Sequence, residues 1–303
     1  MKKLVATTAV TLALGAGSAL AQTNTTDTAP GTAPGSSASA PVPQSEHTFT
    51  GNLTLVTDYR FRGISQTFGG SNFWAPAIQG GFDYSHASGF YAGNWNSNVS
   101  GNTFPNGSSI EMDFYGGWKK TWDDWGLDLG TIFYYYPNSK YPSGVNQFGE
   151  VNSFSNTNNW EIYVGGSWKF VSLKYYYALT DYFGLTQGVI QNWVGANPDT
   201  GASPLPPNGG TRGTQYLVAS ASYEIMPKLT LLGSAGYTWV KNYADLSYFD
   251  YKVGVVYDWN SWLLGLALVG TNANKDYWYA VNGEGKVREL GAFNAVLSIG
   301  RTF

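Results

Sequence analysis

The 303-residue sequence has no cysteine, two histidines and only 12% charged residues, and each shortage removes a class of protein. Without cysteine no disulfide can staple the chain, so its fold must close by other means. The charged fraction is well below the ~25% of ordinary soluble domains. Yet no run of about 18 apolar residues survives beyond residue 21, which excludes a bundle of membrane-spanning helices. The 17 basic residues are outnumbered by 20 acidic ones, a balance unsuited to nucleic acid. Histidine-dependent triads find little material, because His47 sits in a polar leader and His86 at a short turn. No cysteine or histidine pair stands at metal-ligand spacing and no acidic calcium loop is present. Gly283-Glu284-Gly285-Lys286 lacks the Ser/Thr and the strand-to-helix setting of a phosphate loop. The chain is therefore expected to be neither an enzyme nor a cofactor protein.

What remains is abundant tyrosine, tryptophan and glycine, at 22, 12 and 38 residues. Met1-Lys2-Lys3, an apolar run over Leu4–Leu14 and the small-residue pattern Ala19-Leu20-Ala21 read as a signal peptide over residues 1–21. Residues 22–48 are dominated by Thr, Ser, Ala, Pro and Gly. Such a segment buries too little apolar surface to offset its conformational entropy, and is expected to be a disordered periplasmic leader. Residues 49–303 form the remaining domain.

That domain alternates with period two. Trp160, Ile162, Val164 and Trp168 interleave with Glu161, Tyr163, Ser167 and Lys169, and Trp262, Leu264, Leu266 and Leu268 form a similar apolar row. Strands with two different solvents are implied. Twelve segments follow this pattern, over 51–61, 76–86, 89–98, 110–120, 125–136, 159–169, 171–181, 213–225, 228–239, 249–258, 261–271 and 290–303. Their connections alternate short and long along the whole chain. The predicted fold is all-β: a transmembrane antiparallel up-and-down barrel of about 12 strands, with short periplasmic turns, long outer loops and both termini in the periplasm.

On this topology Tyr59, Phe61, Tyr134, Tyr135, Tyr136, Trp160, Tyr237 and Trp239 are expected to girdle the outer end, and Trp118, Trp125, Trp168, Tyr257, Trp259 and Trp262 the inner end. Strand parity places Asp58, Arg60, Arg62, Gln79, Asp83, Glu111, Asp113, Lys119, Asp128, Glu161, Lys169, Lys174, Lys252 and Asp258 in the lumen. Arg60 and Arg62 read either as a clamp near the mouth or as partners of Asp58 and Asp83 in a network that fills the interior. Phe303 ends an apolar row through Phe293, Ala295, Leu297 and Ile299, interrupted by Arg301, and is expected to serve as an assembly signal.

Asp58-Tyr59-Arg60-Phe61-Arg62-Gly63-Ile64-Ser65-Gln66-Thr67, then Pro76-Ala77-Ile78-Gln79-Gly80-Gly81-Phe82-Asp83-Tyr84 and Ser88-Gly89-Phe90-Tyr91-Ala92-Gly93, resemble the TorF-type family of outer-membrane porins. Asp181-Tyr182-Phe183-Gly184, Asp250-Tyr251-Lys252-Val253-Gly254-Val255 and Arg301-Thr302-Phe303 extend the likeness. The resemblance implies an outer-membrane barrel with a channel role and carries over no binding residues. Small hydrophilic solutes diffusing through a narrow lumen are the expected cargo. Outer-membrane lipid and lipopolysaccharide, and the barrel-assembly machinery acting through the last strand, are the other expected partners. The alternative is a closed structural or recognition barrel whose loops over 137–158 and 182–212 bind a partner.

Overall fold

A computed structural model of the chain describes residues 46–103, 108–194 and 197–303. The signal peptide and all but the end of the leader lie outside the described residues; the first strand begins at His47, just inside the span assigned to the leader. Twelve strands form one closed barrel. They are β1 (His47–Val56), β2 (Ala77–His86), β3 (Phe90–Asn98), β4 (Ile110–Trp122), β5 (Trp125–Tyr135) and β6 (Asn159–Trp168) in the first half. The second half comprises β7 (Val171–Ala178), β8 (Gln215–Met226), β9 (Leu229–Trp239), β10 (Tyr248–Trp259), β11 (Trp262–Thr271) and β12 (Asn294–Thr302). Each pairs antiparallel with its neighbours in sequence, and β1 pairs with β12 from Asn52↔Thr302 to Val56↔Ser298. Reciprocal hydrogen bonds between the Gly51 and Phe303 backbones, 2.8 and 3.1 Å long, extend that seam. Closure leaves no sheet edge, which is how a strand protein satisfies its backbone in lipid.

The alternation is inverted relative to a soluble protein. On β11 the outward Leu264, Leu266 and Leu268 are 37–44% exposed, whereas the inward Leu263, Ala267 and Val269 are 4–7% exposed. Such rows recur on every side of the barrel and form the lipid-facing surface. Short turns join alternate strands, with left-handed backbone at Asp123, Lys169, Lys228, Asn260 and Ser261. All the long connections emerge at the other rim, the loop end.

Among the strand boundaries that differ from expectation, the two largest at the loop rim have one reason: there the chain is off the wall and folded inward. β1 stops at Val56, and Arg60–Phe61 pairs with Ile64–Ser65 in a small separate hairpin. Its tip is Arg62-Gly63, with φ of 45° and 79°, the two-residue geometry whose twist suits a tight hairpin. Gly63 is required twice over, because a Cβ there would collide with Thr271 Cγ2. At the other end of the chain β12 starts at Asn294 rather than 290, and Val287–Glu289 pairs with Tyr279–Val281 inside the last loop.

The outer aromatic girdle is also corrected. Tyr59, Phe61, Tyr134 and Tyr136 are no more than 6% exposed, so they point into the barrel rather than to the interface. Tyr134 and Tyr136 share the inward parity of Ile132, and Tyr59 and Phe61 ride on the inserted segment. The outward positions belong to Tyr135, Trp160 and Trp239, with Trp125, Trp259 and Trp262 around the turn end.

Candidate functional site

The interior of the barrel is the candidate site, and it has two levels. At the loop end the segment 57–75 leaves the wall, and its residues 57–70 fold into the lumen as a plug. Arg60 anchors it: Nε donates to Asp58 Oδ2 at 2.5 Å, and the guanidinium also donates to the carbonyls of Gly63, Gly70, Leu290 and Ala292. Asp58 in turn accepts from the hydroxyls of Ser65 at 2.7 Å and Thr67 at 2.9 Å, and from Asn294 Nδ2 at 3.2 Å. Of the pairing expected of Arg60 and Arg62 with Asp58 and Asp83, the structure has Arg60 with Asp58, on an inserted loop and not on the wall, whereas Asp83 accepts from Tyr115 instead.

Arg62 reaches across the barrel. Its Nη2 lies 2.6 Å from Glu161 Oε2 on β6, with both side chains at most 3% exposed. Its guanidinium carbon stands 4.1 Å from the Tyr216 ring centre and 4.9, 5.3 and 5.7 Å from those of Phe61, Tyr176 and Tyr182. A planar, weakly hydrated cation is suited to such a setting, since it stacks on rings and hydrogen-bonds in its plane. Tyr134 Oη donates to the same Glu161 oxygen at 3.3 Å. Gln79, Glu111 and Asp113 are buried at this level, between 0 and 2% exposed. Burial pushes the Tyr182 phenol up to about 12 against the pull of Arg62. Burial, with Glu111 and Asp113 near, also holds the Tyr59 phenol well above its ordinary range. Both phenols therefore stay neutral.

At the turn end the inward groups are less enclosed. Asp128 on β5 accepts from Tyr91 Oη and from Lys174 Nζ, each at 2.6 Å. The Tyr91 and Tyr163 hydroxyls are 2.5 Å apart, and Lys174 Nζ is 4.3 Å from the Tyr163 ring centre. Tyr115 donates to Asp83 at 2.6 Å, and Lys119, exposed, lies 5.5 Å from the Tyr91 ring centre. Charges and tyrosines thus crowd the wall made by β2 to β7. Many inward positions of β8 to β12 are smaller, among them Ser220, Ser234, Gly254, Gly265, Ala267 and Ser298, while Tyr216, Tyr248, Asp250 and Lys252 are large or charged.

Two expected lumen residues do not line it. Lys169 lies beyond β6 in a short turn, where its positive φ of 54° turns it out to an exposed pairing with Asp124 at 3.8 Å. Asp258 has inward parity but caps the β10–β11 turn by accepting from the Ser261 backbone N–H at 2.8 Å. The tyrosines were missed as site residues, although the parity that located the charges also places Tyr91, Tyr115, Tyr163, Tyr176 and Tyr216 inward. Phe303 is 70% exposed at the end of the lipid-facing row, with the Arg301 guanidinium 5.7 Å from its ring centre and 5.6 Å from that of Trp262. Among the described residues no group of three or more His, Cys, Asp or Glu converges as metal donors do.

Residues 40–303 match the model of a family described as bacterial protein of unknown function, Gcw_chp. No curated protein matches the chain. Among solved structures it is similar to the KdgM porin in complex with disordered oligogalacturonate, at 9% identity and a TM-score of 0.43, covering 84% of this chain and 98% of that one. It is also similar to the NanC porin, at 11% identity and a TM-score of 0.44, covering 84% and 99%. A third is OmpT of Vibrio cholerae, at 10% identity and a TM-score of 0.38, covering 86% and 99%.

Proposed function

The chain belongs to the Gcw_chp family, and from the geometry of its lumen we propose that it is a bacterial outer-membrane porin for small hydrophilic solutes, with segment 57–70 as its constriction. In this reading the long loops face outward and the termini face the periplasm. The observation that carries it is the difference in enclosure along the lumen. A barrel filled only for stability would be packed at both levels, whereas here Asp83, Tyr91, Tyr115, Asp128 and Lys174 are part-exposed and Lys119 is exposed. Twelve strands lie between the eight that leave a filled interior and the sixteen that leave an aqueous channel. Passage is then limited by a folded segment and not by the wall. The resemblance of residues 58–93 to TorF-type porins points the same way.

Mixed charge suits weak, multi-site contact with polar solutes, because neither sign dominates and no single group traps the solute. Purified protein in a planar bilayer is expected to give small discrete conductance steps, enlarged when residues 60–66 are replaced by a short Gly-Ser link. A folded barrel silent in both forms would rule out the porin reading.

A further inference from the structure

Beyond the plug, the long loops shape a half-open cavity of about 410 Å³, inside the ~300–1,000 Å³ range of small-molecule sites. Its described lining contains no Asp, Glu, Lys, Arg or His, in contrast to the lumen. Aromatic rings dominate instead. Phe61, Tyr182 and Tyr248 are buried at its base, and Trp278 stands with its ring centre 5.1 Å from that of Tyr248, edge to face. Trp278 Nε1 donates to the Leu246 carbonyl at 3.1 Å, so the indole is held in place without a ligand.

The cavity is flanked by two packed clusters. One contains Tyr182, Ile190, Leu205, Val240, Tyr243 and Leu246, and the other Ile64, Tyr248, Ala273, Ala280 and Leu290. Loops whose own apolar side chains pack this way form a preformed hollow. Two cations stand behind the lining, Arg62 against the rings of Phe61 and Tyr182 and Arg60 on the Leu290 carbonyl, and each is already paired, with Glu161 and Asp58.

We infer that this loop-end cavity is a binding site for an uncharged aromatic small molecule. Rings on its walls offer faces and edges for offset or edge-to-face packing. A charged ligand would lose its hydration with no countercharge to replace it. The cavity shares Phe61, Ile64 and Gln66 with the plug, so the inference rests on the folded plug and not on conduction.

Three molecules of nearly one shape test it: 4-nitrobenzyl alcohol, 4-nitrobenzoate and 4-nitrobenzylamine. Each is titrated by calorimetry into the full protein in lipid nanodiscs, with empty nanodiscs as the blank. The alcohol is expected to bind saturably at one site, and the anion and cation at least about ten-fold more weakly, because each must bury an unpaired charge. Leu185→Lys puts a cation on the wall, and should weaken the alcohol while improving the benzoate. Trp278→Ala should weaken the alcohol several-fold. A heat-dependent shift in gel mobility establishes that each variant is folded. Absence of saturable binding by the alcohol, equal binding of all three, or indifference to Leu185→Lys in a folded barrel would overturn the proposal.

Discussion

The two ends of the lumen share strands and differ in kind. On β6, Glu161 and Tyr163 are two residues apart and face the same way, yet Glu161 is 1% exposed and Tyr163 is half-buried. At the plugged end the ion pair of Arg62 and Glu161 is sealed among rings; at the turn end Lys174 and Asp128 keep 14% and 24% of their side chains exposed. The wall is periodic, so it cannot create this difference. The inserted segment does, by replacing water with its own backbone carbonyls and aromatic rings at one level only.

Removing the plug tests the comparison most severely. With residues 60–66 replaced, the loop end should become as wet as the turn end, and single-channel conductance should rise several-fold. An unchanged conductance would mean that the constriction lies elsewhere. Next in size is Arg62→Ala, which leaves Glu161 buried without its cation and should cost about 3–5 kcal/mol in urea unfolding from vesicles. The paired change to Arg62→Met with Glu161→Gln should recover most of that loss. Gly63→Ala should cost about 1–3 kcal/mol, since left-handed backbone and the clash with Thr271 act together, and should raise conductance by unseating the hairpin. Asp128→Asn should cost no more than about 1 kcal/mol, because its pair is partly solvated, but should shift reversal potentials toward anions in a salt gradient. Smallest of all, Lys169→Ala should leave conductance unchanged, as expected of an exposed turn residue.

The barrel was legible in the residues because lipid outside and water or protein inside impose a period of two, and all twelve segments were located to within a few residues. The plug was not, and the reason is visible in Asp58, Arg60 and Arg62. Their alternation with Tyr59 and Phe61 continues the parity of β1, so the sequence reads as more of the same strand. Only Arg62-Gly63, a turn pair between two short extended pieces, signals that the chain reverses there. Tyr134 and Tyr136 misled for a related reason: aromatic residues near a strand end suit a membrane interface, and parity was needed to see that every second ring of Tyr134-Tyr135-Tyr136 points inward. Charge drew attention to Lys169 and away from the lumen tyrosines, although a turn position gives a lysine no wall to stand on.

The anchoring of Arg60 also bears on how the protein is assembled. Its carbonyl partners at Leu290 and Ala292 lie some 230 positions further along the chain, next to the strand that completes the seam. Arg60 therefore gains these two partners only once the last strand has arrived, whereas Arg62 docks on Glu161 of β6. Protease cleavage after Arg60 would thus act as a clock, with protection marking the moment at which the two ends of the chain meet.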